Sequence, residues 1–162
     1  LYLHELGHQV IADEVGADNH QIQFMKQDKG QYYLGLSTYD KIPEKSKLAY
    51  AVGGDRMAGM TFEYGLASYR ENPTTFNKAL IFFTTVDFVG YTLLSNYVHS
   101  GDHMYDPNLI RTETGMSKEL LLGMVATKAL INGYRFFSGD DRITPEIRTD
   151  MYGAAFVLNY HF

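Results

Sequence analysis

The stretch Leu3-His4-Glu5-Leu6-Gly7-His8 decides how the rest of the chain is read, because it is an H-E-x-x-H motif inside an apolar run of helical character. At helical pitch His4 and His8 stand four residues apart on one face, so both imidazoles can bind a single Zn²⁺. Glu5 lies one step round the helix, placed to accept a proton from a water at the metal rather than to bind the metal itself. Three fixed residues of uncommon type coincide by chance in a chain of 162 residues in roughly one case in a few hundred. Leu3, Leu6, Val10 and Ile11 surround the motif with apolar surface suited to a closed pocket. Gly7 leaves room for a second segment to pass over the site.

Composition bounds what this motif can serve. The chain is long enough for one domain, residues 1–162, with a core of its own. A formal net charge of −5 leaves no basic surface of the kind nucleic acid requires, which excludes that partner. With no cysteine there is neither a disulfide framework nor a thiolate metal site. The 13 Tyr and 10 Phe against no Trp make an aromatic chain of the sort common in bacterial envelope proteins. At the start there is no basic n-region and no small-residue cleavage site, and Leu1-Tyr2-Leu3 offers no helix cap, so further residues are expected upstream of Leu1.

In chain order, the first helix is predicted to run to about Val15 and to be capped by Gly16. Residues 21–25 and 31–36 read as strands of a hairpin, with Asp28-Lys29-Gly30 as turn residues between them. On these features (His4-Glu5-Leu6-Gly7-His8, then Ala12 and Gly16, then the hairpin) the chain resembles the site-2 protease family of membrane-embedded zinc metallopeptidases over residues 1–40. The resemblance implies peptide-bond hydrolysis with zinc polarising the scissile carbonyl and Glu5 moving the proton. It also implies a polypeptide substrate near or within a membrane and an Asp on a later helix as the third zinc ligand. In that family a small-residue segment after the hairpin packs against the metal helix. Here residues 51–60, with Gly53, Gly54 and Gly59, hold that place within a second helical segment over about 44–69, although the family's usual Gly-Pro after an Ala is absent.

After the Asn72-Pro73 break, residues 79–98 carry a single charge, Asp87, and are long enough to cross a hydrocarbon layer. In lipid, that acid must be functional or paired inside the bundle. His99, Asp102, His103 and Asp106 then form a polar knot, and Asp106-Pro107 is expected to open a helix with the carboxylate as its cap. Residues 116–137 read as another apolar helix, begun by Ser117 and interrupted by Lys128 before Arg135. The tail, residues 152–162, places Tyr152, Ala154, Phe156, Leu158, Tyr160 and Phe162 on one face with period two. It resembles the closing strand of bacterial outer-membrane β-barrels, but too few other segments alternate to build one. A terminal strand packed on the hairpin or on upstream residues is therefore expected.

The fold class expected is mainly α with a small β-hairpin (α+β): a zinc-site helix in a membrane-associated helical bundle, with a C-terminal β-strand. A catalytic zinc takes three protein ligands, and the candidates for the third are Asp106, Asp102, Asp87 and Glu63. Asp106 ranks first, because a carboxylate at a helix start can reach the metal without burying an unpaired charge. Glu63 would instead move the reading to the soluble class, and His103 can also ligate. The function expected is that of a zinc-dependent metallopeptidase acting on a membrane or envelope protein, in contact with membrane lipid and located in the membrane of the bacterial cell envelope. The alternatives are a soluble thermolysin-like zincin and a non-catalytic envelope protein with a structural or vestigial zinc-site helix.

Overall fold

The apolar run around the motif forms helix α1, Tyr2–Val15, in the computed structural model, which describes residues 2–28, 30–150 and 153–162. It stops at Gly16, whose φ of +68° supplies the left-handed turn that helix ends favour. The chain returns as an antiparallel hairpin of β1 (Gln21–Asp28) and β2 (Gln31–Thr38), with Phe24 opposite Gly35. Lys29 of the expected turn lies outside the described residues, as do Leu1 of the missing cap and Tyr152 of the tail pattern.

The segment expected as one helix over 44–69 is three pieces. A 3₁₀ turn, Glu44–Ser46, leads into α2 (Lys47–Ala51), and α3 (Gly53–Glu71) starts after Val52, where the backbone leaves helical geometry at ψ −1°. The break falls where α3 meets α1. A Cβ on Gly7 would collide with the carbonyl of Gly53, and one on Gly53 would sit 2.8 Å from the Gly7 carbonyl oxygen. The two helices thus touch backbone to backbone, the close approach that the small residues permit.

Helix α4, Thr75–Tyr97, begins before residue 79 because the Thr74 hydroxyl accepts the Asn77 N–H at 3.1 Å and caps it. Then follow α5 (Asp106–Thr114) and α6 (Lys118–Ser138), the latter capped by Ser117 and ended by Gly139 at φ +75°. The main core joins Leu48, Ala51 and Val52 to Phe88 of α4, Ile110 of α5 and Leu121 and Val125 of α6. Ile11 and Ala12 of α1 pack separately with Tyr50. By holding α2 against both α1 and α5, these contacts bring the metal-motif helix and the start of α5 together.

The tail strand exists but its partner differs from expectation. β4 (Gly153–Tyr160) pairs antiparallel with β3 (Ile143–Asp150), not with the β1–β2 hairpin or with upstream residues. In β3, Pro145 and three charged side chains hide the strand pattern. Each strand of a two-stranded sheet keeps an open edge, where proline's missing N–H is tolerated. The period-two face is not a buried one: Phe156 packs on the core, while Leu158 and Tyr160 are exposed. The architecture is therefore mainly helical with two small antiparallel hairpins.

Two helices run against the soluble pattern of apolar inside and polar outside. α4 buries Asn77, Thr92, Ser95 and Asn96 while exposing Phe82, Phe83, Leu93 and Leu94. Its Thr84 and Thr85 hydroxyls donate back to the carbonyls of Leu80 and Ile81, at 2.7 and 2.6 Å. Beyond its first turn α6 directs its charges inward: Lys128 pairs with buried Asp55 at 2.7 Å, and Arg135 grips both oxygens of Glu63 at 2.6 and 2.7 Å. Its outward face carries Leu120, Leu130, Tyr134 and Phe137.

Candidate metal centre

Helical pitch in α1 puts the His4 and His8 rings on one face, 5.0 Å apart between centroids. The third group arrives from α5. Tyr105, not Asp106, is the N-cap, and Asp106 is the first helical residue. Its carboxylate makes no cap bond and faces α1, while its backbone N–H donates to the Tyr91 hydroxyl at 3.4 Å. His4 Nε2 and His8 Nε2 each lie 3.1 Å from the same Asp106 Oδ2.

All three side chains are buried, and among the described residues they form the one group whose donor atoms converge, within 4.8 Å of one another, so that the group could hold a metal ion. Zinc bonds of 2.0–2.2 Å at tetrahedral angles separate neighbouring donors by about 3.4 Å. The 3.1 Å spacing needs only a small opening to reach that value. Two imidazoles and one carboxylate are a donor set that suits Zn²⁺ and leave one position open.

The surroundings orient these donors. His8 Nδ1–H donates to the Tyr50 carbonyl at 2.7 Å, which sets the tautomer and leaves Nε2 facing the cluster. On α3, Gly54 lies so close to His4 that a Cβ there would overlap the imidazole. Gly7→Ala and Gly54→Ala are therefore expected to separate two effects. The added methyl in Gly7→Ala meets backbone that cannot yield, so about 1–3 kcal/mol of stability is lost despite the gain in helix propensity. In Gly54→Ala the ring can swing away, so the melting temperature holds while metal affinity falls about tenfold or more. Thermal melts and a chelator competition check the pair.

Charge reinforces the arrangement. Burial disfavours protonated His8, but the Asp106 charge and hydrogen bond, with the Tyr50 carbonyl, outweigh it and push the imidazole up to about 9. Burial likewise works against ionised Asp106, yet the two histidines hold it down at about 2. Metal-free, the group is an ion pair, and a metal would displace a proton from His8. Glu5 is buried beside the cluster, and this burial raises its carboxyl above the ordinary range against the pull of His8 and His4. It also accepts the Ser37 N–H from β2.

The group opens into a cleft of about 520 Å³, walled by residues 32–37 of β2 and by Val86, Asp87 and Tyr91 of α4. β2 pairs with β1 along one edge, and no other described strand pairs with its second edge.

The remaining candidates do not join the converging group. Glu63 is held by Arg135, which removes it from the site. Asp102 accepts from the backbone N–H of Met104 and from the Tyr33 hydroxyl, and exposed His103 sits by Thr112 at 3.4 Å. Asp87 is half-exposed, 3.7 Å from His4 Nδ1 and on the opposite side of that ring from Asp106. Sequence reasoning missed Tyr50 and Ser37, which act through backbone groups and so leave no side-chain signal. Gly54 was legible as one of a run of small residues. Comparison with family models, curated proteins and solved structures finds no match to this chain.

Proposed function

We propose that the chain is a zinc-dependent metallopeptidase, with His4, His8 and Asp106 as metal ligands and Glu5 as general base. One observation carries the reading: two imidazole Nε2 atoms converge on one buried carboxylate oxygen, with a buried glutamate beside them, at the wall of a cleft. When bound, zinc supplies Lewis acidity that polarises a carbonyl and brings water towards ionisation at neutral pH. The Glu5 carboxylate takes the proton of the attacking water and delivers it to the leaving nitrogen. Its raised basicity suits that task. The open edge of β2 supports a polypeptide substrate, since an extended chain can add to it through main-chain hydrogen bonds.

A membrane setting is part of the proposal. α4 is the one helix among the described residues long and apolar enough to cross a bilayer, with a mean hydropathy of 1.3. Its inverted faces, and the apolar outer face of α6 beyond Glu119 of its first turn, support lipid contact, because hydrocarbon accepts exposed Phe and Leu and drives polar side chains inward.

The test is metal analysis and proteolysis on detergent-purified protein. One zinc per chain, and cleavage of an unfolded polypeptide that stops on chelation and returns with zinc, is the expected result. Sub-stoichiometric zinc at saturation would overturn the metal centre, and zinc binding without cleavage would favour the structural alternative. A monodisperse protein in plain buffer would overturn the membrane setting and favour the soluble zincin.

A further inference from the structure

His4 and His8 present the same nitrogen to Asp106 but are not equally supported behind. A neutral imidazole that binds metal through Nε2 carries its proton on Nδ1, and that N–H needs an acceptor when buried. His8 has one in the Tyr50 carbonyl. His4 Nδ1 is buried and has no hydrogen-bond partner. As the ring stands, Tyr91 packs edge-on against it at 5.7 Å and 89°, and Gly54 lies against it from α3. The carboxylate of Asp87 stands 3.7 Å from that nitrogen, the one acid in the 23 residues of α4 and the charge that the helix otherwise leaves unexplained.

We propose that Asp87 is the positioning residue of His4, accepting its Nδ1–H when the imidazole binds metal through Nε2, as the Tyr50 carbonyl does for His8. The inference rests on the metal-centre reading above. At 3.7 Å the pair is not yet a hydrogen bond; a side-chain rotation of about 1 Å makes it one. A cation at Nε2 makes the opposite N–H a stronger donor and so draws the carboxylate in. The half-exposed position of Asp87 at the cleft wall leaves it free to move. A carboxylate–imidazole–metal relay of this kind fixes ring orientation and raises ligand basicity, and its loss lowers metal affinity by about 10–100-fold. The same role gives the charge in α4 a partner inside the bundle, as a carboxylate in lipid requires.

The experiment measures zinc affinity by chelator competition on the full chain in detergent, for the parent, Asp87→Ala and Asp87→Asn, with thermal melts of the metal-free forms and cobalt(II) absorption spectra alongside. Asp87→Ala is expected to bind one zinc about 10–100-fold more weakly, with a shifted cobalt spectrum of unchanged coordination number and an unchanged metal-free melting temperature. Asp87→Asn should recover most of the affinity, because its amide oxygen still accepts the Nδ1–H. Parental affinity in Asp87→Ala would overturn the role. So would loss of the metal at saturating zinc in both variants, which would make Asp87 a ligand, and so would a fall in metal-free stability that accounts for the loss in affinity. Failure of the parent itself to bind zinc would sink the metal centre and this inference together, a result distinct from any difference among the variants.

Discussion

Asp106→Asn is expected to weaken zinc binding by on the order of 10³-fold, as severely as His4→Ala or His8→Ala. The estimate follows from removing the anionic member of a buried charge cluster, which costs about 3–5 kcal/mol. A neutral amide oxygen is also a poor zinc ligand. Asp106 is buried and both histidines address one of its oxygens, so no water can replace it cheaply. Asp87→Asn should be mild by comparison. Glu63→Gln should leave the metal in place and cost stability instead, because its carboxylate holds the buried Arg135. Zinc titration across the three variants checks the order. If Asp87→Asn empties the site while Asp106→Asn is tolerated, the ligand lies on α4 and the assignment is wrong.

Glu5→Gln is expected to keep a full complement of zinc and to lose peptide hydrolysis by at least about 10²–10⁴-fold. The amide has the shape of the acid and its oxygen can still accept the Ser37 N–H, so the pocket should hold. What it loses is the ability to take a proton. Parallel assays of zinc content and turnover read the two effects apart. Loss of zinc together with activity would make Glu5 a structural residue.

Much of this was legible because it is local. The spacing of His4 and His8, the stop at Gly16, the start at Ser117, the break at Asn72-Pro73, and the hairpin read over residues 21–25 and 31–36 all depend on neighbours within an element or a turn. Periodicity and backbone preference carry that information directly. Strand β3 was not legible, since Pro145 and its charges conceal an edge strand that is extended through its pairing with β4.

The sequence by itself determined the two imidazoles, the glutamate between them, and the shortlist of acids for the third position. Tertiary structure alone brought one of those acids, Asp106, to the two imidazoles. Asp106 lies 102 residues from His4 and meets it only because the Gly7–Gly53 contact seats α1 on α3 and the core around Leu48 and Ile110 holds α5 beneath. The same packing gave Glu63 to Arg135, put Asp87 behind His4, and turned the polar side of α4 inward and Phe82 and Phe83 outward. Which face of a helix is covered depends on what packs against it, and residue spacing within one helix carries no record of a partner a hundred residues away.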